Sequence, residues 1–188
     1  FIDEQLSRLR TDHIDFYLLH NLNEPYYRTV LKLDVIEEAV RAKKEGLIGH
    51  IGFSFHDELP LFKTIVESHD VWEFCQIQYN YMDTDFQAGT EGLEFAAARG
   101  LGIIVMEPLR GGQLARQPAP AVRTIMERLP SGPNPVLAAL GWVWDRPEVA
   151  TALSGMSLPD QVDRNIEIAE TARAGSLSPE DKAVYGKL

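Results

Sequence analysis

Short, apolar, β-prone runs recur along this chain at intervals far too long for hairpins, and that spacing narrows the fold more than any other feature. The runs begin near residues 14, 48, 74, 103 and 149, with gaps of 34, 26, 29 and 46 residues. Antiparallel neighbours can be joined by a two-residue turn, whereas parallel neighbours need a crossover of about a dozen residues or more, usually a helix. The intervening segments have that character. Residues 1–11 place Ile2, Leu6 and Leu9 on one helical stripe. Asp34 and Glu37 resemble a capping box opening a helix through Glu45, which Gly46 ends. Residues 58–69 use Leu59, Phe62 and Val66, and Glu91 to Arg99 closes on Gly100. Residues 136–145, 159–172 and 179–186 also read as helices. The strands read as 14–19, 48–54, 74–79, 102–106 and 149–153, with a polar loop after the first. Five of the 11 prolines crowd between Ala115 and Pro135. Because the same rhythm continues on both sides, that stretch reads as a long loop rather than a boundary, giving one α/β domain over residues 1–188.

Composition removes several function classes. The 188 residues carry 18 basic and 28 acidic side chains, a formal net charge of −10, which disfavours sequence-independent binding to nucleic acid or to an anionic membrane face. The lone Cys75 can make neither an internal disulfide nor a cysteine metal cage, so the expected setting is a reducing, cytoplasmic one. No apolar run approaches the roughly 18 residues of a membrane span, and no signal-like leader is visible. The first residue is Phe1 rather than methionine, so the expectation is a chain that begins partway through something larger.

Five βα units fit two architectures. An open doubly wound sheet would carry an early Gly-rich strand–turn–helix fingerprint, and none is present. A (β/α)8 TIM barrel needs eight strands and typically about 250 residues, so this chain would be its last five βα units. Barrels place their chemistry at the carboxyl ends of the strands. Here those ends carry His20; Ser54 with Phe55 and His56; Gln76, Gln78 and Asn80; Met106-Glu107-Pro108; and Ser154-Gly155-Met156.

These strings resemble the aldo-keto reductase family, which reduces carbonyls with NADPH on a (β/α)8 barrel. The resemblance runs the length of the chain through RLRTDHIDFYLLH, IGHIGFSFH, FCQIQYN, GIIVMEPLRGGQLA and SGMSLPDQVDRN. GFSFHD, MEPLRGG and LSGMS look like a branch whose full-length members carry an iron–sulfur segment after the barrel. No Cys-rich segment stands here, so an iron–sulfur cluster is not supported, and no metal site is expected.

The resemblance implies roles residue by residue. His20 matches the catalytic histidine that hydrogen-bonds the substrate carbonyl, a task suited to imidazole because one nitrogen donates while a neighbour fixes the other. His13, His50, His56 and His69 read as surface or packing residues. Ser54 and Gln76 match the contacts to the nicotinamide carboxamide, although Gln76 also reads as a satisfied interior amide. Phe55 replaces an asparagine found in many members. Met106 matches a residue that stacks on the nicotinamide ring, and equally reads as core filler. Leu109, Arg110, Gly111 and Gly112 follow the strand that would be the barrel's seventh, where adjacent glycines let backbone amides approach phosphate. Ser154, Gly155, Met156, Gln161 and Asn165 resemble the adenosine-phosphate segment, with Asn165 at an adenine contact and Gln161 equally readable as a solvated helix face. Met156-Ser157 replaces the family's Thr-Arg pair, so the implied cofactor is NADP(H), with NAD(H) as the alternative.

The family's proton donor is a tyrosine whose pKa is lowered by a lysine paired to an aspartate, and those residues match nothing here. Tyr17, Tyr26 and Tyr27 are not substitutes by motif, although the last two could line a substrate pocket. These 188 residues alone are therefore expected to be inactive. The implied reaction is hydride transfer from NADPH to a small aldehyde or ketone. The alternative is a non-catalytic, nicotinamide-nucleotide-binding regulatory subunit on the same fold. The sequence fixes neither the substrate nor the oligomeric state.

Overall fold

The computed structural model describes residues 1–188. In chain order the elements are α1 (Ile2–Leu9), β1 (Ile14–Leu22), α2 (Glu24–Lys32), α3 (Val35–Lys44), β2 (Ile48–Phe55), α4 (Leu59–Ser68), β3 (Phe74–Gln78) and α5 (Gly89–Ala97). They continue with β4 (Gly102–Met106), a 3₁₀ turn (Gln113–Ala115), α6 (Pro120–Met126), α7 (Pro135–Trp144), β5 (Val149–Ala152), α8 (Pro159–Thr171) and α9 (Pro179–Tyr185). The five strands lie in one sheet in sequence order, β1-β2-β3-β4-β5, the pattern of successive βα units. No helix is long and apolar enough to cross a membrane. Contacts divide the chain into two compact units, Phe1–Ile77 with Gln87–Ile103, and Gln78–Phe86 with Ile104–Leu188.

In the first unit β1, β2 and β3 pair in parallel, with Leu19 opposite Phe53, Gly52 opposite Phe74 and Ser54 opposite Gln76. Alternation along β2 sends Phe53 and Phe55 onto Phe62 of α4, with ring centroids 5.9 and 5.1 Å apart, and Phe53 also meets Trp72 at 5.0 Å. All four rings are buried and form the apolar layer between sheet and helix. Gly52 leaves room for the Phe74 ring, which lies 2.6 Å from where a Cβ would stand. Gly92 does the same for the approach of α5 to α4, where a Cβ would come within 3.2 Å of Phe62.

Three sequence expectations change in this unit. Leu6 is buried as expected, but Leu9 is 64% exposed and leaves the helical stripe. The segment after β1 is helical: Asn23 accepts from the Tyr26 N–H at 3.0 Å and Pro25 occupies the first turn of α2. Asp34 precedes α3 but makes no capping bond with its side chain, because its backbone is left-handed (φ 52°) where a capping residue needs an extended one.

The second unit packs α6, α7 and α9 around Met126, Leu129, Ala138, Val184 and Tyr185. Trp142 lies 4.9 Å from Tyr79, and Tyr81 lies 5.5 Å from Tyr185. The proline-rich connection holds α6, since Pro120 sits in its first turn, where the missing N–H leaves no bond unmade. The buried Asp145 carboxylate accepts from the Leu177 N–H at 2.7 Å and pairs with Lys182 at 3.0 Å, fastening the segment that leads into α9.

Candidate active site

The carboxyl ends of β1, β2 and β3 bring His20, Ser54 and Gln76 to the same end of the first unit's sheet. Between Leu19 and Leu22, β1 carries one more residue than the Phe53–Phe55 stretch it faces, so His20 and Asn21 both stand opposite Ser54. Such a bulge re-aims the bulged strand, a device common beside active sites. Asn21 adopts a left-handed backbone (φ 59°), and its N–H donates to Ser54 Oγ at 2.7 Å. Pairing resumes immediately, with the His56 N–H donating to the Leu22 carbonyl at 2.9 Å. Ser54 is fully buried, Gln76 half-buried beside it, and His20 exposed.

His20 lines an open depression of about 470 Å³ together with Leu19, Tyr26 and Val30. Tyr27 faces elsewhere and is buried, with its hydroxyl 3.2 Å from His69 Nε2. Asp57 carries the loop after β2 to the start of α2 by accepting from the Glu24 N–H at 2.8 Å. Phe55 belongs to the core against Phe62, so it stands away from any polar contact. The other histidines have structural partners: His13 Nδ1 lies 2.7 Å from the Gly46 carbonyl, and His50 Nδ1 lies 2.8 Å from Glu73.

The second unit gathers most of the residues that the sequence reading assigns to the cofactor. A cavity of about 370 Å³ is lined by Leu109, Gly112, Ser154, Gly155, Met156, Gln161 and Asn165. Asn165 Nδ2 donates to Ser154 Oγ at 2.9 Å, joining the loop after β5 to α8. Gln161 Oε1 accepts from the N–H groups of Ser157 and Leu158 at 2.9 and 3.2 Å, so its carbonyl caps the start of α8. Arg164 also lines this cavity and supplies a cation there. The sequence reading passed over it, although its place directly before Asn165 is a usable signal.

Arg110 and Gly111 are not in that lining. Arg110 Nε pairs with Asp83 at 3.1 Å, and the Gly111 N–H donates to the Glu107 carboxylate. Glu107, Arg110, Gly111 and Gly112 all have left-handed backbones, and the Arg110 N–H closes the turn by donating to the Glu107 carbonyl at 3.0 Å. The fully buried Asn80 braces the turn by donating to Asp83 at 3.0 Å and to the Glu107 carbonyl at 3.1 Å. Asp83 and Asn80 thus set the loop's shape, a role the sequence reading did not give them. Met106 ends β4 half-buried, and its carbonyl accepts from the Tyr79 N–H at 3.1 Å.

Burial raises the pKa of Tyr17 against the opposing effect of the hydrogen bond its hydroxyl donates to Gln5 Oε1, and burial likewise raises Tyr81 and Tyr185. A phenol needs the opposite shift to act as an acid near neutral pH. Burial pushes the Cys75 thiol up to about 12, which leaves no thiolate nucleophile.

The chain is 27% identical over 164 residues to an uncharacterised oxidoreductase of Schizosaccharomyces pombe, covering 87% of this chain and 50% of that protein. It is 25% identical to Protein tas of Escherichia coli, covering 98% of this chain and 65% of that one. Among solved structures it superposes on the holo form of aldo-keto reductase AKR11C1 from Bacillus halodurans with a TM-score of 0.77 and 26% identity, over 99% of this chain and 62% of that one. The chain therefore spans between half and two thirds of the length of these relatives. Its βα units are those of an α/β fold shared with that aldo-keto reductase. The aldo/keto reductase family model matches residues 1–174, and the chain belongs to that family.

Proposed function

We propose that this chain is part of an oxidoreductase that reduces an aldehyde or ketone to an alcohol with NADPH, and that His20 orients the carbonyl. The observation that carries the reading is the alignment of His20, Ser54 and Gln76 at one end of three adjacent parallel strands. An imidazole N–H from His20 polarises the carbonyl oxygen, so that negative charge developing there meets a donor already in place. In the first unit Ser54 and Gln76 present a hydroxyl and an amide, the groups that hold a carboxamide; in the second, Met106 is a polarisable side chain of the kind that packs against an aromatic ring.

The second unit's cavity, taken by itself, suits the phosphate and adenosine part of a nucleotide. Its lining offers the Gly112 backbone, Ser154, Asn165 and the Arg164 guanidinium, donors of the kind that phosphate and a nucleobase accept. Arg164 provides the positive charge that Met156-Ser157 lacks. When bound, the nicotinamide supplies the hydride that goes to the carbonyl carbon, and a proton completes the alcohol. Burial raises the pKa of Tyr17, Tyr81 and Tyr185, away from that task, and the 188 residues alone should give no turnover. A reducing, cytoplasmic setting goes with the proposal, on the single buried Cys75.

The test is a titration with NADPH, read by tryptophan fluorescence, followed by NADPH consumption with a simple aldehyde in the longest protein that carries this chain. Saturable quenching and consumption are expected. Saturable binding without consumption would assign a nucleotide-binding regulatory role instead, and no binding would overturn both readings.

A further inference from the structure

We propose that Ser54 is a positioning residue for His20, acting through the backbone of Asn21. The inference deepens the reductase reading and rests on it for the role of His20. A bulge leaves a residue of the longer strand without a ladder partner. In β1 that residue is Asn21, held left-handed at φ 59°, a conformation that asparagine tolerates better than most side chains. Its N–H points to Ser54 Oγ, 2.7 Å away, and Ser54 is 0% exposed. Water therefore has no access to the hydroxyl that replaces the missing ladder bond.

On the far side, the Leu22 carbonyl accepts from the His56 N–H at 2.9 Å. On the near side, Leu19 stays in register with Phe53. The bulge is thus clamped before, at and after the residues opposite Ser54, and His20 is the side chain whose departure angle the clamp sets. Ser54 Oγ is already an acceptor for Asn21, and the hydroxyl proton remains as its one donor. Its first duty is to the strand that carries the histidine.

Three measurements test this in the longest protein that carries the chain. In the wild type the Asn21 amide should be as protected from hydrogen exchange as the ladder amides of β1, and an unprotected Asn21 amide overturns the proposal with no variant needed. In Ser54→Ala that protection should fall by at least about tenfold and the His20 ring signals should move, while Ser54→Thr, which keeps the acceptor, should restore both. Unchanged Asn21 exchange in a folded Ser54→Ala also overturns it. Kinetically, Ser54→Ala should lower kcat by roughly 10- to 100-fold even at NADPH concentrations that saturate the variant, a loss beyond any weakening of NADPH binding from the lost hydroxyl. Weakened NADPH binding with an unchanged kcat would make Ser54 a cofactor contact only and overturn the proposal. If the wild type turns over no carbonyl, the reductase reading fails, and the exchange and ring-signal results alone decide the positioning claim.

Discussion

Glu73 precedes β3 by one residue and accepts from Lys43 Nζ, from His50 Nδ1 at 2.8 Å and from the Ile51 N–H at 3.1 Å. Burial opposes its ionisation, but these hydrogen bonds and the Lys43 charge outweigh that and hold the carboxyl at about 2, against an ordinary 4.5. A folded pKa below the unfolded one means the stabilisation is complete above about pH 4.5 and is lost as pH falls toward about 2. Because the side chain is 34% exposed, solvent screening limits the effect to roughly 1 kcal/mol. Thermal unfolding across pH should show Glu73→Gln less stable than wild type at neutral pH, with the two curves converging at the acid end. Parallel curves would show that the charge at Glu73 does not matter. None of this is legible in the sequence, where Lys43 and Glu73 are 30 positions apart. The tie between Arg110 and Asp83 is hidden for the same reason, since each comes from a separate loop. The sequence does place His20 near the end of a strand, because the apolar run before it marks the strand, although β1 runs on to Leu22.

The strand rhythm sets where each βα unit begins, and all five strands begin at the expected positions, 14, 48, 74, 102 and 149. What the sequence conceals are elements whose signals compete. Tyr26, Tyr27 and Thr29 make the segment after His20 look like a polar loop, yet Asn23 and Pro25 start a helix there. The prolines near α6 mask a helix that one of them opens. In the other direction, Asp34 and Glu37 imitate a capping box that the left-handed backbone at Asp34 prevents. The β1 bulge leaves no signal in residue type at all, since it arises from register against β2. Packing of β2 against β3 makes a sharper prediction. A methyl at Gly52 would meet the Phe74 ring at 2.6 Å, so Gly52→Ala should cost about 1–3 kcal/mol by overpacking. Chemical denaturation should show a lower midpoint with an unchanged slope, and an unchanged midpoint would mean that Phe74 gives way freely.

Across the molecule, family and fold follow from five short strings kept in order at βα spacing, whereas the substrate does not, because one fold hosts many substrates and these relatives are 25–27% identical to this chain over the matched residues. Each unit holds its own share of the expected chemistry: the first carries His20, Ser54 and Gln76, and the second carries the cavity lined by Gly112, Ser154, Arg164 and Asn165. The central claim is that His20 serves the reaction itself. Its most direct test compares kcat/KM for a simple aldehyde between wild type and His20→Ala in the longest protein that carries this chain, with the NADPH dissociation constant measured in parallel. The account predicts a loss of about 10²- to 10⁴-fold in kcat/KM with cofactor binding retained. Equal kcat/KM in the two proteins would contradict it.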